Sequence, residues 1–162
     1  MARCLIIGCG CRGRALASSL IAAGHAVRGT SRAADRVPAL EAAGVEPFIG
    51  DPDRVGTIFP ALEQVGVACL LLGSAVGEPE RIAAVHGPRL EMLLEKMIDT
   101  TVRGVVYEAA GTLPPEVLHR GRDLVSAACQ RSRIPHAVID AAPDDHGAWL
   151  AAAEAAVARV MG

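Results

Sequence analysis

The sequence has very few lysine and aromatic residues. It has a single lysine, Lys96, against fifteen arginines, and its aromatic residues are one Trp, one Tyr and two Phe. A catalytic mechanism that depends on lysine or on a phenol therefore has one position at which to place each of them. This scarcity limits the chemistry of the chain before any motif is considered.

Long apolar runs and concentrated charge are also missing. No apolar run is long enough to span a membrane, and Met1 to Arg3 lead into a predicted strand instead of a signal peptide. The net charge is −2 and the basic residues are spread along the chain, which argues against nucleic acid as a partner. We expect a cytoplasmic protein that forms one domain over residues 1–162.

The cysteines are odd in number and lie mostly in apolar segments. They are Cys4, Cys9, Cys11, Cys69 and Cys129. Reduced thiols that act as small core residues are the expected state. Cys9 and Cys11 have no third and fourth ligand at a recognisable spacing, so we predict no metal site. Thiols at a helix N-terminus can have a lowered pKa, which leaves oxidation sensitivity open for this pair.

Six short aliphatic runs alternate with helical patterns. The predicted strands are Arg3–Gly8, Ala26–Thr30, Val45–Ile49, Val67–Gly73, Gly104–Tyr107 and His136–Asp140. The predicted helices are Arg12–Ala23, Ala34–Ala43, Val55–Gln64, Arg89–Asp99, Glu116–Ser132 and His146–Met161. Continuously apolar strands indicate burial on both faces of a parallel sheet. The pattern predicts a three-layer, doubly wound α/β fold of the Rossmann type, with six parallel strands in the order 3-2-1-4-5-6.

A glycine-rich turn joins the first strand to the first helix. The apolar run that ends at Ile7 is followed by Gly8-x-Gly10-x-x-Gly13 and then by a helical pattern. This is the dinucleotide-binding fingerprint, in which the glycines allow a tight turn, a close approach to a pyrophosphate and close helix packing. We expect the phosphates at the start of the helix, where Cys11 and Arg12 also lie. Arg12 either contacts the pyrophosphate or points to solvent.

The end of the second strand favours NADP over NAD, although NAD remains possible. An NAD site usually has a carboxylate there, but this strand ends in Thr30, Ser31 and Arg32, and Asp35 is already in the next helix. Arg32 can bind a 2′-phosphate with help from the Thr30 and Ser31 hydroxyls. The alternative is that Arg32 is a solvated loop residue.

Further cofactor contacts are expected after the third and fourth strands. Asp51 follows the third strand, where it either accepts a hydrogen bond from the adenine amino group or caps its own turn. Gly73, Ser74 and Ala75 follow the fourth strand and are predicted to lie beside the adenosine and the diphosphate.

These motifs resemble the atypical and extended short-chain dehydrogenase/reductase superfamily, in its NmrA-like and epimerase-like branches. The resemblance rests on the glycine fingerprint, residues 29–32, Gly50-Asp51 and residues 71–75. It implies binding of NAD(P) and functions that extend from reductases and epimerases to redox-sensing regulators without turnover.

The chain departs from that superfamily in two respects. The catalytic signature is Tyr-x-x-x-Lys, but Gly111 stands four places after Tyr107, and Lys96 precedes it. The resemblance also implies a substrate lobe after the sixth strand, where residues 141–162 mostly form one helix. We therefore expect cofactor binding or sensing without Tyr/Lys catalysis. The alternative is an NADP-dependent oxidoreductase or epimerase with a non-standard site, acting on a small-molecule substrate and completed by a partner protomer. Whether the protein is an enzyme stays open.

Other polar residues have plain structural explanations. Glu108, after the fifth strand, is either a general base near the nicotinamide or a solvated carboxylate, and the second is favoured. His86 to Arg89 open the fourth-to-fifth crossover helix and could touch substrate or phosphate, whereas Tyr107 is predicted to be a packed aromatic residue.

Two apolar stripes predict a homodimer. Leu90, Leu93, Leu94 and Met97 form one stripe, and Val117, Leu124, Val125 and Ala128 form the other. Resembling family members pair through these two helices, and a two-fold contact closes an oligomer most simply. The alternative is that both stripes pack only on the sheet.

Overall fold

The computed structural model describes residues 1–162. Its strands are Arg3–Ile7 (β1), Ala26–Ser31 (β2), Glu46–Ile49 (β3), Val67–Leu70 (β4), Gly104–Glu108 (β5) and His136–Ile139 (β6). Its α-helices are Cys11–Ala22 (α1), Val37–Ala42 (α2), Pro79–Val85 (α3), Pro88–Ile98 (α4), Pro115–Ser132 (α5) and His146–Met161 (α6). Three short 3₁₀ helices are Ala34–Arg36, Val55–Thr57 and Phe59–Leu62. None of the helices is both long and apolar enough to cross a membrane.

All six strands are parallel and lie in the order β3-β2-β1-β4-β5-β6. The predicted doubly wound topology is therefore confirmed. The central strand β1 pairs with β2 on one side and with β4 on the other, so that Cys4 is opposite both Val27 and Val67. β2 and β3 are added on one side of β1, and β4 to β6 on the other. The point between β1 and β4 is therefore the topological switch point, where a crevice opens at the carboxyl ends of the strands.

The two faces of the sheet carry separate cores, as the continuous apolar strands predict. Cys4 and Ile6 pack in the core that includes α1 and α6, whereas Leu5 and Ile7 pack in the core that includes α4 and α5. Successive side chains of a strand point to opposite faces, so a strand covered on both sides must be apolar throughout.

The segment between β3 and β4 does not form the predicted helix over Val55–Gln64. It forms two 3₁₀ helices, and Gln64 adopts a left-handed conformation with φ 62°. Gly56 is a poor helix former, and Pro60 has no N–H to donate to an α-helical hydrogen bond. These residues explain why the segment tightens into short turns.

The crossover from β4 to β5 is also more divided than predicted. β4 ends at Leu70, earlier than expected, and α3 precedes the predicted crossover helix. Pro79 stands at the start of α3 and Glu80 lies in its first turn, and both residues favour a helix N-terminus at this point. Gly87 then separates α3 from α4.

The apolar stripes of α4 and α5 cover the sheet. Leu90, Leu93, Leu94 and Met97 are all buried there, and α5 buries Leu118, Gly121, Val125, Ala128 and Cys129. Val117 and Leu124 of the predicted stripe are only half-buried. On the outer surface of α4, Met92 and Ile98 remain 48% and 43% exposed. The homodimer stays a prediction.

Candidate functional site

The turn after β1 is held by a side chain of the neighbouring strand. The Gly8 N–H donates to the Thr30 hydroxyl at 3.1 Å, and the Cys9 N–H donates to the Thr30 carbonyl at 3.0 Å. Gly8 has a φ of +86°, and a Cβ there would lie 2.7 Å from the Leu71 carbonyl oxygen. Thr30 is 1% exposed, so its hydroxyl orients the glycine-rich turn instead of extending toward a 2′-phosphate.

The other two glycines of the fingerprint have different roles. A Cβ on Gly13 would lie 3.3 Å from both the Ile6 side chain and the Cys9 sulfur, so Gly13 allows α1 to pack closely on β1. A Cβ on Gly10 would meet nothing within 4 Å. Protein packing therefore does not require a glycine at position 10. Its bare backbone, just before α1, is suited to a phosphate that must come close to the helix N-terminus.

A cavity of about 370 Å³ lies at the carboxyl ends of β1 to β4. Most of the predicted cofactor residues line it, namely Gly8, Gly10, Cys11, Arg12, Gly13, Thr30, Ser31, Arg32, Asp51, Ser74 and Ala75. Gly73 does not line it, because its N–H turns toward the Glu108 carboxylate at 2.9 Å. The glycine-rich turn and the loops after β2, β3 and β4 are thus brought together as the sequence predicts.

Two arginines lie beside the end of β2. Arg32 and Arg36 both line the cavity, and neither takes part in an ion pair. The Arg32 guanidinium donates to the Val76 carbonyl at 3.2 Å, while Ser31 forms a local turn with Ala33. Arg36 was not among the predicted site residues, although a second basic residue soon after Arg32 was a signal for it.

The loop after β3 is tied to α3. The Asp51 carboxylate accepts from the Asp53 N–H at 2.9 Å, so Asp51 caps its own turn, the second of the two alternatives. The Asp53 carboxylate accepts from Arg81 at 2.8 Å, and the second oxygen of Asp51 is 3.6 Å from the same guanidinium. Arg81 lines the cavity and was missed because α3 was not predicted. α3 is therefore held as one wall of the cavity.

Glu108 is fully buried, and the prediction that it is a solvated carboxylate is wrong. Its carboxylate accepts from the Trp149 indole N–H at 2.8 Å, from the Gly73 N–H at 2.9 Å and from Arg12 at 3.3 Å. The Arg12 guanidinium also lies 5.5 Å from the centre of the Trp149 ring. The charged group of Arg12 therefore pairs with the end of β5, and Arg12 also lines the cavity, so its contact with a pyrophosphate stays a prediction. The Arg12 Nε is buried without a hydrogen-bond partner.

Tyr107 is packed in the core, as predicted, and its hydroxyl meets His86. The two polar atoms are 2.6 Å apart, and the other His86 nitrogen lies 2.9 Å from the Leu72 carbonyl. Burial raises the pKa of Tyr107 and lowers the pKa of His86. The Lys96 ammonium lies over the Phe59 ring instead, at 5.5 Å. No Tyr–Lys pair exists, and His86 does not reach outward to a phosphate.

The cysteines divide into a buried set and one exposed thiol. Cys4, Cys9, Cys69 and Cys129 are buried, whereas Cys11 is exposed at the start of α1. Burial raises the pKa of Cys9 to about 11, so the sequence-based idea of a lowered pKa fails for this residue. No group of three or more side chains is arranged to hold a metal ion.

Comparisons with known proteins agree with this architecture. The model of a family described as NADP oxidoreductase, coenzyme F420-dependent, matches residues 3–56. No curated protein has significant sequence similarity to the chain. A short-chain dehydrogenase/reductase superfamily protein from Agrobacterium tumefaciens, solved with bound NAD, is similar at 18% identity with a TM-score of 0.71, over 85% of this chain and 48% of that chain.

Two further solved structures have the same fold. Vestitone reductase from alfalfa is 15% identical with a TM-score of 0.67, over 86% of this chain and 56% of its own. UDP-glucose 4-epimerase from Thermotoga maritima is 15% identical with a TM-score of 0.71, over 85% of this chain and 54% of its own. The chain spans about half the length of these proteins. It has the Rossmann-type fold of these proteins, so the expected similarity to dehydrogenase/reductases and epimerases is confirmed at the level of the fold.

Proposed function

We propose that the protein binds NADP(H) in the cavity at the ends of β1 to β4 and acts in cofactor binding or sensing. The observation that carries this proposal is the open backbone at Gly10, which faces a cavity also lined by Arg32 and Arg36. The open backbone at Gly10 suits a pyrophosphate, and the two arginines suit a 2′-phosphate. No carboxylate lies at the end of β2 to repel that phosphate.

Each part of the cavity has residues that suit one part of the cofactor. The backbone from Gly10 to Gly13, at the start of α1, would hold the pyrophosphate. Arg32, Arg36 and the Ser31 hydroxyl would hold the 2′-phosphate, and the loops at Asp51 and Ser74–Ala75 would border the adenosine. When bound, the nicotinamide supplies or accepts a hydride. The chain itself has no Tyr–Lys pair to move a proton with it.

Calorimetry on the intact protein tests the proposal. NADPH should bind more tightly than NADH, and Arg32→Ala should lose about 1.5–3 kcal/mol for NADPH, the usual size of a hydrogen bond to a charged group, with little change for NADH. Arg131→Ala, an exposed arginine on α5, is the matched control and should change neither affinity. Equal losses for the two cofactors would show that Arg32 does not contact the 2′-phosphate. Absence of NADPH binding would refute the function.

The second candidate is an NADP-dependent oxidoreductase or epimerase whose site is completed by a partner protomer. It is supported by solved proteins of this fold that are a reductase and an epimerase, of which this chain covers 56% and 54%. Steady consumption of NADPH with small carbonyl substrates would favour it. Binding without consumption favours the sensing function.

A further inference from the structure

The cavity lies at the carboxyl ends of β1 to β4 and does not reach β5 or β6. Its lining residues all lie between Gly8 and Val85, on the first turn of α1, the end of β2, the loops after β1 to β4 and α3. A Rossmann sheet consists of two mononucleotide-binding halves, and a dinucleotide lies across the crevice between them. β5, β6, α5 and α6 contribute no residue to the walls. The cavity therefore serves the half that contains β1 to β3 and the end of β4.

The carboxyl ends of the other strands are occupied by protein side chains. Glu108 ends β5, Trp149 lies in the first turns of α6, and Arg12 reaches across from α1. The buried Glu108 carboxylate accepts hydrogen bonds from both of these side chains, at 2.8 Å from Trp149 and 3.3 Å from Arg12. A buried carboxylate that loses its partners is strongly destabilised, so these three side chains resist displacement. We call them the Arg12–Glu108–Trp149 cluster.

The backbone closes the same region from the side of β4. A Cβ added to Gly73 would collide with the Ala110 carbonyl, and one added to Gly111 would collide with the Gly73 carbonyl. The Thr112 N–H also donates to the Ser74 hydroxyl at 3.2 Å. The loops after β4 and β5 are thus in direct contact, which leaves no cleft between them for a planar ring.

We propose that the site recognises the 2′,5′-phosphorylated adenosine portion of the dinucleotide and leaves the nicotinamide ring outside the crevice, in solvent. This inference rests on the proposed function and narrows it. The open half of the crevice offers the Gly10 backbone, Arg32 and Arg36, all suited to phosphates. The other half is filled by the Arg12–Glu108–Trp149 cluster, in which the Glu108 carboxylate and the Trp149 N–H are already paired. A nicotinamide outside the crevice is not held against a substrate, which fits sensing better than hydride transfer.

Calorimetry with fragments of the cofactor tests this division. On the intact protein, 2′,5′-ADP should bind within about 3-fold of NADPH, and nicotinamide mononucleotide should show no measurable binding. The nicotinamide fluorescence of NADPH should keep the emission of the free cofactor. NADPH binding more than about 30-fold tighter than 2′,5′-ADP, equivalent to about 2 kcal/mol, would overturn the inference while leaving the proposed function in place. A shift in the nicotinamide emission of NADPH on binding would also overturn the inference and leave the proposed function in place.

A variant of the cluster provides a second test, which measures a ratio of affinities and not the stability of the fold. Trp149→Phe keeps an aromatic ring and removes the N–H that donates a hydrogen bond to the Glu108 carboxylate. The ratio of the dissociation constants for NADPH and 2′,5′-ADP, measured on the same folded sample, should equal that of the unmodified protein, because Trp149 and Glu108 lie outside the cavity. A ratio that changes more than about 3-fold would place the nicotinamide on this cluster and refute the inference. If neither NADPH nor 2′,5′-ADP binds, the proposed function fails, and the inference fails with it.

Discussion

The Tyr107 hydroxyl donates a hydrogen bond to Nδ1 of His86 over 2.6 Å, and both side chains are buried. The direction follows from the second contact of the imidazole. A carbonyl oxygen can only accept, so the His86 Nε2 carries the proton that is donated to the Leu72 carbonyl at 2.9 Å. Nδ1 is then the acceptor. Gly121 makes this arrangement possible, because a Cβ there would collide with the Tyr107 hydroxyl.

Tyr107→Phe should lower the stability of the protein and leave its function intact. The free energy of unfolding should fall by about 1–3 kcal/mol, since a buried His86 acceptor is left unpaired. NADPH affinity and any turnover should be unchanged, because no lysine is placed to activate the phenol. Urea unfolding and calorimetry measure the two effects. An approximately hundredfold loss of turnover with intact binding, equivalent to about 2.7 kcal/mol, would show that the phenol is catalytic.

Stability should decrease on mild acidification because of His86. Desolvation lowers the pKa of this buried histidine below its ordinary value of 6.5. The unfolded chain therefore takes up a proton at a higher pH than the folded chain. This contribution to stability is fully present above the unfolded pKa and is lost progressively as the pH falls from that value toward the folded pKa.

The free energy of unfolding should thus decrease between about pH 7 and pH 5, as followed by urea titrations at several pH values. His86→Gln, which cannot titrate, is the control. Its stability should depend less steeply on pH over the same interval. An identical slope in the two proteins would show that another group is responsible.

Gly10→Val should abolish NADPH binding while the protein stays folded. A Cβ at position 10 would meet no protein atom within 4 Å, so a valine there should fill part of the cavity and leave the surrounding packing intact. Gly56→Val is the matched control, because a Cβ at that glycine also meets nothing within 4 Å and Gly56 lies outside the cavity. Circular dichroism reports folding and calorimetry reports binding. Normal binding by the Gly10 variant would mean that the fingerprint does not hold a pyrophosphate.

Light scattering tests the predicted homodimer. A pairing through the outer surfaces of α4 and α5 would cover Met92 and Ile98, the exposed apolar residues of α4. The expected mass is twice the chain mass of 16.7 kDa. Met92→Glu should shift the protein toward monomer, whereas Glu95→Gln on the same helix should not. A mass near 16.7 kDa at every concentration would rule out the dimer.

The fold was predictable because its signals are local and repeated. β1 and β4 are apolar throughout, and prolines or glycines stand at most helix ends, so the strand order followed from topology rules. The helix prediction for Val55–Gln64 was wrong for an equally local reason. The apolar spacing there is helical, but Gly56 and Pro60 disfavour a continuous α-helix. The difference between an α-helix and a pair of 3₁₀ turns depends on single hydrogen bonds that apolar spacing does not reveal.

The loops of the cavity could be predicted, but the partners of its charged residues could not. Arg12 and Glu108 are separated by 96 residues, and nothing in either local sequence indicates that they meet. Glu108 follows an apolar strand, where a carboxylate is usually solvated, yet an indole and a backbone N–H from distant segments surround it. Such contacts arise when the fold brings distant segments together, and the local sequence around either residue does not indicate them.

The contact between the bare backbones of Gly73 and Gly111 has a mechanical consequence. No side chain separates the two loops, so no rotamer change can accommodate a displacement of one of them. A displacement of one loop should therefore displace the other as well. The loop after β4 borders the cavity through Ser74 and Ala75, and the loop after β5 leads into α5. A displacement of the cavity rim is therefore expected to shift the loop that leads into the N-terminus of α5.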